Sequence, residues 1–131
     1  MAPKDGTRLR GRSILVVEDH EDMRTLIEEY FVSGGAMVTG AENGLRAREA
    51  LVRERFDLIV TDIAMPTESG IEMMERIRAE GLLMHIPAIA ISGQIRMDEL
   101  EQFSPALFQA VLAKPFDPSR LVAIAIELMG A

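Results

Sequence analysis

Cysteine is absent from all 131 residues. That removes disulfides, thiolate catalysis and cysteine-ligated zinc, while leaving the redox compartment open. Long apolar runs are missing too: none approaches the roughly 20 residues of a membrane span. Lys4, Arg8, Arg10 and Arg12 near the start are not followed by an apolar block long enough for a secretory signal. These absences set the expectation of a cytoplasmic protein with no membrane partner. Positive charge is in deficit, with a formal net charge of -7, whereas a surface that binds nucleic acid directly is normally basic. There is no internal repeat, no low-complexity tract, no interdomain linker and no GxxxxGK[ST] motif, so a P-loop enzyme is disfavoured.

What is present is a globular balance, 48% hydrophobic and 27% charged residues, in a length that suits one core. Residues 1–12 read as a basic flexible N-terminal tail, and residues 13–131 as one domain. Within it, strand and helix patterns alternate. Ser13–Val17, Met37–Ala41, Leu58–Asp62, Ala88–Ser92 and Ala110–Ala113 are short apolar runs of the kind found in strands buried on both faces. Between the first two, Met23, Leu26, Ile27, Tyr30 and Phe31 form a helical stripe that Gly34-Gly35 ends. Ala47, Ala50 and Leu51 mark a second helix after Asn43-Gly44. Ile71, Met74 and Ile77 mark a third, ending near Gly81. Met97–Phe103 reads as a short helix stopped by Ser104-Pro105. The last helix starts at Asp117-Pro118, with Asp117 as its cap. The methionines at helical spacing read as core filler.

Alternating units of this kind predict an α/β fold, a parallel sheet with helices on both faces in three layers. In such sheets ligands bind beyond the carboxyl ends of the strands, where strand order reverses; in the flavodoxin-like order 2-1-3-4-5 that point lies between strands one and three. Strand one runs into Glu18-Asp19, strand three into Asp62, and strand five into Lys114-Pro115. Three carboxylates and an ammonium would then meet in one crevice. Two carboxylates about 4 Å apart repel by roughly 4 kcal/mol at an effective dielectric of about 20. That arrangement calls for a bound cation.

The motifs ILVVED, LIVTDIAMPTESG, AIAISG and AKPF, in this order, resemble the receiver domain of bacterial two-component response regulators over Ser13 to Met129. Asp62 and Ser92 stand 30 residues apart, and Ser92 and Lys114 stand 22 apart, separations that suit the family. The flavodoxin-like strand order belongs to the same resemblance. It implies that Asp62 accepts a phosphoryl group from a histidine kinase or a histidine phosphotransfer protein. It implies Mg²⁺ (or Mn²⁺) on Asp19, Asp62 and the backbone carbonyl of Ala64, with Glu18 acting directly or through water. Lys114 and Ser92 would hold phosphoryl oxygens. Ala64 and Gln94 occupy positions that tune dephosphorylation. The Lys114-Pro115 bond is expected to be cis.

Taken singly, each residue has a plainer reading. Glu18-Asp19 could cap the first helix, Asp62 could be a loop acid, Ser92 a turn serine, Gly70 a helix start and Lys114 a snorkelling lysine. His20 reads as a helix-start residue beside the site, and His85 as a loop residue. Their joint spacing favours the family. Two departures stand out. Val111 occupies the position three before the lysine where many receivers carry an aromatic switch residue, and a β-branched side chain is stiff there. Pro105 interrupts the segment Gln94–Gln109, where a longer helix is usual. The last helix, with Leu121, Val122, Ile124, Ala125, Ile126, Leu128 and Met129, is apolar over more than half its circumference, a candidate homodimer or docking surface.

The expected function is a phosphorylation-activated switch without an output domain or a separate turnover substrate. It would signal to an unidentified downstream protein by contact, or by onward relay. Two alternatives are a phosphorylation-independent interaction module on the same fold, and an aspartyl-phosphate phosphatase. The phosphatase would want an acid two residues after the nucleophile, where this chain has Ala64.

Overall fold

The computed structural model describes residues 8–80, 85–93 and 107–130. The chain alternates β1 (Ser13–Val17), α1 (Glu21–Ser33), β2 (Met37–Ala41), α2 (Gly44–Arg53), β3 (Leu58–Asp62), α3 (Gly70–Ala79), β4 (Ala88–Ser92), β5 (Ala110–Ala113) and α4 (Pro118–Met129). All four strand pairings are parallel, and the sheet order is β2-β1-β3-β4-β5, as the resemblance implied. The expected helix over Met97–Phe103, Pro105 and Gln94 lie outside the described residues. No helix among the described residues is long and apolar enough to cross a membrane.

Side-chain alternation splits the strands between two cores. Ile14, Val16, Leu58, Val60, Ile89, Ile91 and Leu112 pack on Ile27 and Phe31 of α1 and on Leu121 and Ala125 of α4. Leu15, Val17, Ile59, Ala88 and Ala90 pack on Ala47, Ala50 and Leu51 of α2 and on Met73, Met74 and Ile77 of α3, with Val111 partly buried against them. A strand buried on both faces needs apolar residues at both parities, which is why these runs are continuous.

Local signals set the helix starts. Asn43 accepts the amide of Arg46 at 2.9 Å. Ser69 and Glu72 form a reciprocal capping box ahead of α3. Asp117 accepts the amide of Ser119 at 2.9 Å, with Pro118 at the first helical position and Gly130 closing the helix in the left-handed region. In α4, Leu121 and Ala125 are buried, while Val122, Ile124, Ile126, Leu128 and Met129 are partly buried against the core shared with α1.

One expectation is corrected. Residues 8–12, expected to belong to a flexible tail, are held against the domain. Leu9 is fully buried among α1, β1 and the start of β2. Its amide donates to Gly34 O at 2.8 Å, and Arg12 O accepts the amide of Met37 at 2.8 Å. A Cβ on Gly34 would collide with the Leu9 side chain. A lone leucine among basic residues has no periodic partner in sequence, so only the folded chain shows where it goes.

Candidate functional site

Register brings the acids together. Val17 pairs with Thr61, so the next residues, Glu18 and Asp62, leave neighbouring strands side by side. Glu18, Asp62 and Lys114 share the strand parity of Val16, Val60 and Leu112, and all lie at the carboxyl ends of their strands. The Lys114 Nζ stands 3.2 Å from Glu18 Oε1 and 3.4 Å from Asp62 Oδ2. Glu18 is 1% exposed and Asp62 5%. The long stem of Lys114 thus spans the distance from β5 to the β1–β3 junction, and the peptide between Lys114 and Pro115 is cis.

Burial pushes the Glu18 carboxyl above its ordinary range. The nearby Asp62 and Asp19 push the same way, and the Lys114 ammonium only partly opposes them. For Lys114, burial pulls down, but Asp62 and Glu18 together outweigh it and hold the ammonium above its ordinary value. Asp19 is less covered than Glu18, yet its Oδ1 is a buried atom with no hydrogen-bond partner. Neither acid is the helix cap: His20 is the N-cap residue of α1, while Glu21 and Asp22 provide the negative charge in the first turn.

The other expected residues fall around this cluster. Ser92 is buried at the end of β4, one step beyond the Asp62–Ile91 pair, and Lys114 donates its amide to Ser92 O at 2.8 Å. Ala64 is partly exposed in the β3–α3 loop, where it brings no second acid near Asp62. Val111 pairs with Ala90 on the edge strand β5. His85 is exposed in a turn.

Several supporting residues were not visible in the sequence. Gly70 starts α3, as expected, but a Cβ there would lie 2.3 Å from the Asp62 carbonyl oxygen. Its amide donates to Ile63 O at 2.9 Å. Only glycine admits this approach of α3 to the end of β3. Arg24 Nη1 donates to Glu18 O at 2.9 Å, and Thr61 Oγ1 donates to Asp62 O at 2.9 Å. Glu68, in the loop after Asp62, pairs with Arg48 of α2 and, at 2.8 Å, with Arg76 of α3. This clamp holds a loop in which Thr67 is left-handed. The two partners lie on two different helices, so no local spacing announces the clamp.

The donor set suits a hard divalent cation: clustered carboxylate oxygens, one of them buried and without a partner. One atom each from Glu18, Asp19 and His20 lie within 4.8 Å of one another.

Residues 14–126 match the model of the response regulator receiver domain. The chain belongs to this family. Chemotaxis protein CheY-3 of Vibrio cholerae is 30% identical over 113 residues, covering 86% of this chain and 87% of that protein. A probable transcriptional regulator, ycf29 of Porphyra purpurea, is 32% identical over 118 residues; these cover 89% of this chain but 56% of that longer protein. Among solved structures, the receiver domain of sensor histidine kinase PA1611 from Pseudomonas aeruginosa superposes with a TM-score of 0.82 at 31% identity, covering 92% of this chain and 99% of that one. That structure has a magnesium ion coordinated in its active site cleft. Members of the family serve two-component signalling and bind Mg²⁺ at an acidic site.

Proposed function

We propose that this receiver is a cytoplasmic phosphorylation switch whose acceptor is Asp62. The observation that carries the reading is the Lys114 ammonium held 3.2 Å from Glu18 and 3.4 Å from Asp62 at the carboxyl edge of the sheet. A carboxylate oxygen of Asp62 attacks the phosphorus of a phosphohistidine on a histidine kinase or phosphotransfer protein. The new bond is Asp62 O–P, the bond that breaks is P–N, and the imidazole leaves with a proton. Such transfer depends on alignment and charge neutralisation more than on a strong base. Lys114 exchanges its pairing with Asp62 for one with a phosphoryl oxygen, and the Ser92 hydroxyl donates to another. Asp19, Asp62 and the Ala64 carbonyl would hold Mg²⁺, with Glu18 assisting directly or through water, and the cation when bound would supply charge neutralisation for the transferring group. Gly70 and the Glu68 clamp position the loop after Asp62. The phosphorylated chain signals by protein contact or onward relay, with no separate turnover substrate.

Intact mass after incubation with Mg²⁺ and a small acyl phosphate tests this. The expected result is one phosphate adduct on the natural chain and none on Asp62→Asn. An adduct that survives in Asp62→Asn, or none from several donors, overturns it.

A further inference from the structure

The loop between Asp62 and α3 is closed at its base and pinned at its tip. At the base, the Gly70 amide donates to Ile63 O at 2.9 Å. At the tip, the Glu68 amide donates to Pro66 O at 2.7 Å, in a turn where Thr67 holds φ 70. Residues other than glycine rarely take that conformation, and it persists where the surroundings over-determine it. The Glu68 side chain supplies the constraint. It is 15% exposed; its Oε1 pairs with Arg48 of α2, and its Oε2 with Arg76 Nε of α3 at 2.8 Å. Oε1 also lies against Gly44, the first residue of α2, where an added Cβ would come within 2.0 Å of it. The positive end of a helix favours a carboxylate there. One anion thus holds two cations and the start of α2. The Arg46–Glu49 pair on the same helix is different: it joins neighbours in sequence, is about half exposed and ties α2 to nothing else.

We propose that Glu68 is a positioning residue for phosphoryl transfer and that it couples Asp62 to the amino end of α2. The inference rests on the reading above, that Asp62 is the acceptor. Glu68 acts indirectly, by fixing the backbone that leads from Asp62 to α3. A phosphoryl group that shifts this backbone also shifts Arg48 and the first turn of α2, and energetic coupling between two sites runs both ways. Losing the Glu68 charge does more than release the loop. It leaves the Arg48 and Arg76 guanidiniums without the anion they share, and their repulsion then pushes α2 and α3 apart.

The test follows phosphoryl uptake from a small acyl phosphate with Mg²⁺ by intact mass. The chains compared are the natural one, Glu68→Gln, the double variant Glu68→Gln/Arg48→Met, and Glu49→Gln. Each is assayed below its own melting transition, so loss of fold is not read as loss of rate. In Glu68→Gln the maximal rate should fall about tenfold, with the donor concentration at half-maximal rate changed less than about twofold. The double variant should be faster than Glu68→Gln, because it removes the repulsion; Glu49→Gln should match the natural chain. Amide resonances of residues 44–48 should shift when the natural chain is phosphorylated, and much less in Glu68→Gln. The Gly70 amide should exchange with solvent faster in Glu68→Gln, a readout that needs no phosphoryl group. A natural rate in Glu68→Gln, a double variant no faster than the single one, equal α2 shifts in both chains, or equal Gly70 exchange would overturn the proposal. A natural chain that takes no phosphoryl group would overturn the switch and the transfer role with it, whereas uptake that ignores Glu68 would overturn this inference alone.

Discussion

At the amino ends of the strands, backbone groups are stitched in reciprocal pairs. Ser13 donates its amide to Asp57 Oδ2 at 2.8 Å and accepts the Asp57 amide at 2.7 Å. Ala88 donates its amide to the Gln109 side chain at 2.8 Å and accepts the Gln109 amide at 2.9 Å. Arg78 reaches from α3 to the carbonyls of Ile86 and Leu107, and Leu9 covers the core beneath β1 and β2. At the carboxyl ends of the same strands, Glu18 and Asp62 share the Lys114 ammonium, and Asp19 keeps a buried oxygen without a partner. One end of the sheet is held by hydrogen bonds within the chain. The other gathers charges that a bound cation would relieve. The proposed function assigns the second end to ligand binding and leaves the first to secure the fold.

The strongest way to break this comparison is to open the stitched end. Leu9→Ala removes a fully buried side chain and should cost about 2–5 kcal/mol of unfolding free energy by chemical denaturation. The adduct on Asp62 should still form wherever the variant is folded. Loss of phosphoryl uptake from a folded Leu9→Ala chain would show that the two ends are not separable.

A smaller effect sharpens the other half. Because Asp62 and Glu18 hold Lys114 above its ordinary 10.5, its contribution to stability is complete below that pH and is lost as pH rises through the folded value. Melting curves of the natural chain and Lys114→Met should therefore converge in stability above about pH 10.5. Curves that stay parallel through that range would mean that the ammonium contributes nothing to the fold.

Most of the architecture was legible because both kinds of evidence for it are local. Continuous runs such as Leu58–Asp62 announce strands covered on two faces, and the stripe from Met23 to Phe31 announces α1. The gathering of Glu18, Asp62 and Lys114 was legible for a topological reason: parallel strands place all their carboxyl ends on one edge. What escaped depends on contacts between distant segments. Gly70 reads as a helix start until α3 is seen against the Asp62 carbonyl. Arg24 and Glu68 look like ordinary surface charges until their partners on other elements are in place. Leu9 looks like tail because the Gly34 that receives it is 25 positions away.

The central claim is that the crowded carboxyl edge is costly alone and is relieved by a cation. Thermal melting of the natural chain and Glu18→Gln at neutral pH, each without metal and with saturating Mg²⁺, tests it most directly. Glu18 titrates above its ordinary 4.5 in the folded chain, chiefly through burial. Its contribution to stability therefore declines as pH rises from 4.5 through the folded value, and its full cost is present above it. Glutamine keeps an oxygen for Lys114 and carries no charge. The metal-free Glu18→Gln chain should melt higher than the natural one. Mg²⁺ should raise the melting temperature of the natural chain, as any ligand of the folded state does, and that of the variant by less. A natural chain whose melting ignores Mg²⁺, or a Glu18→Gln chain that melts lower without metal, would contradict the account.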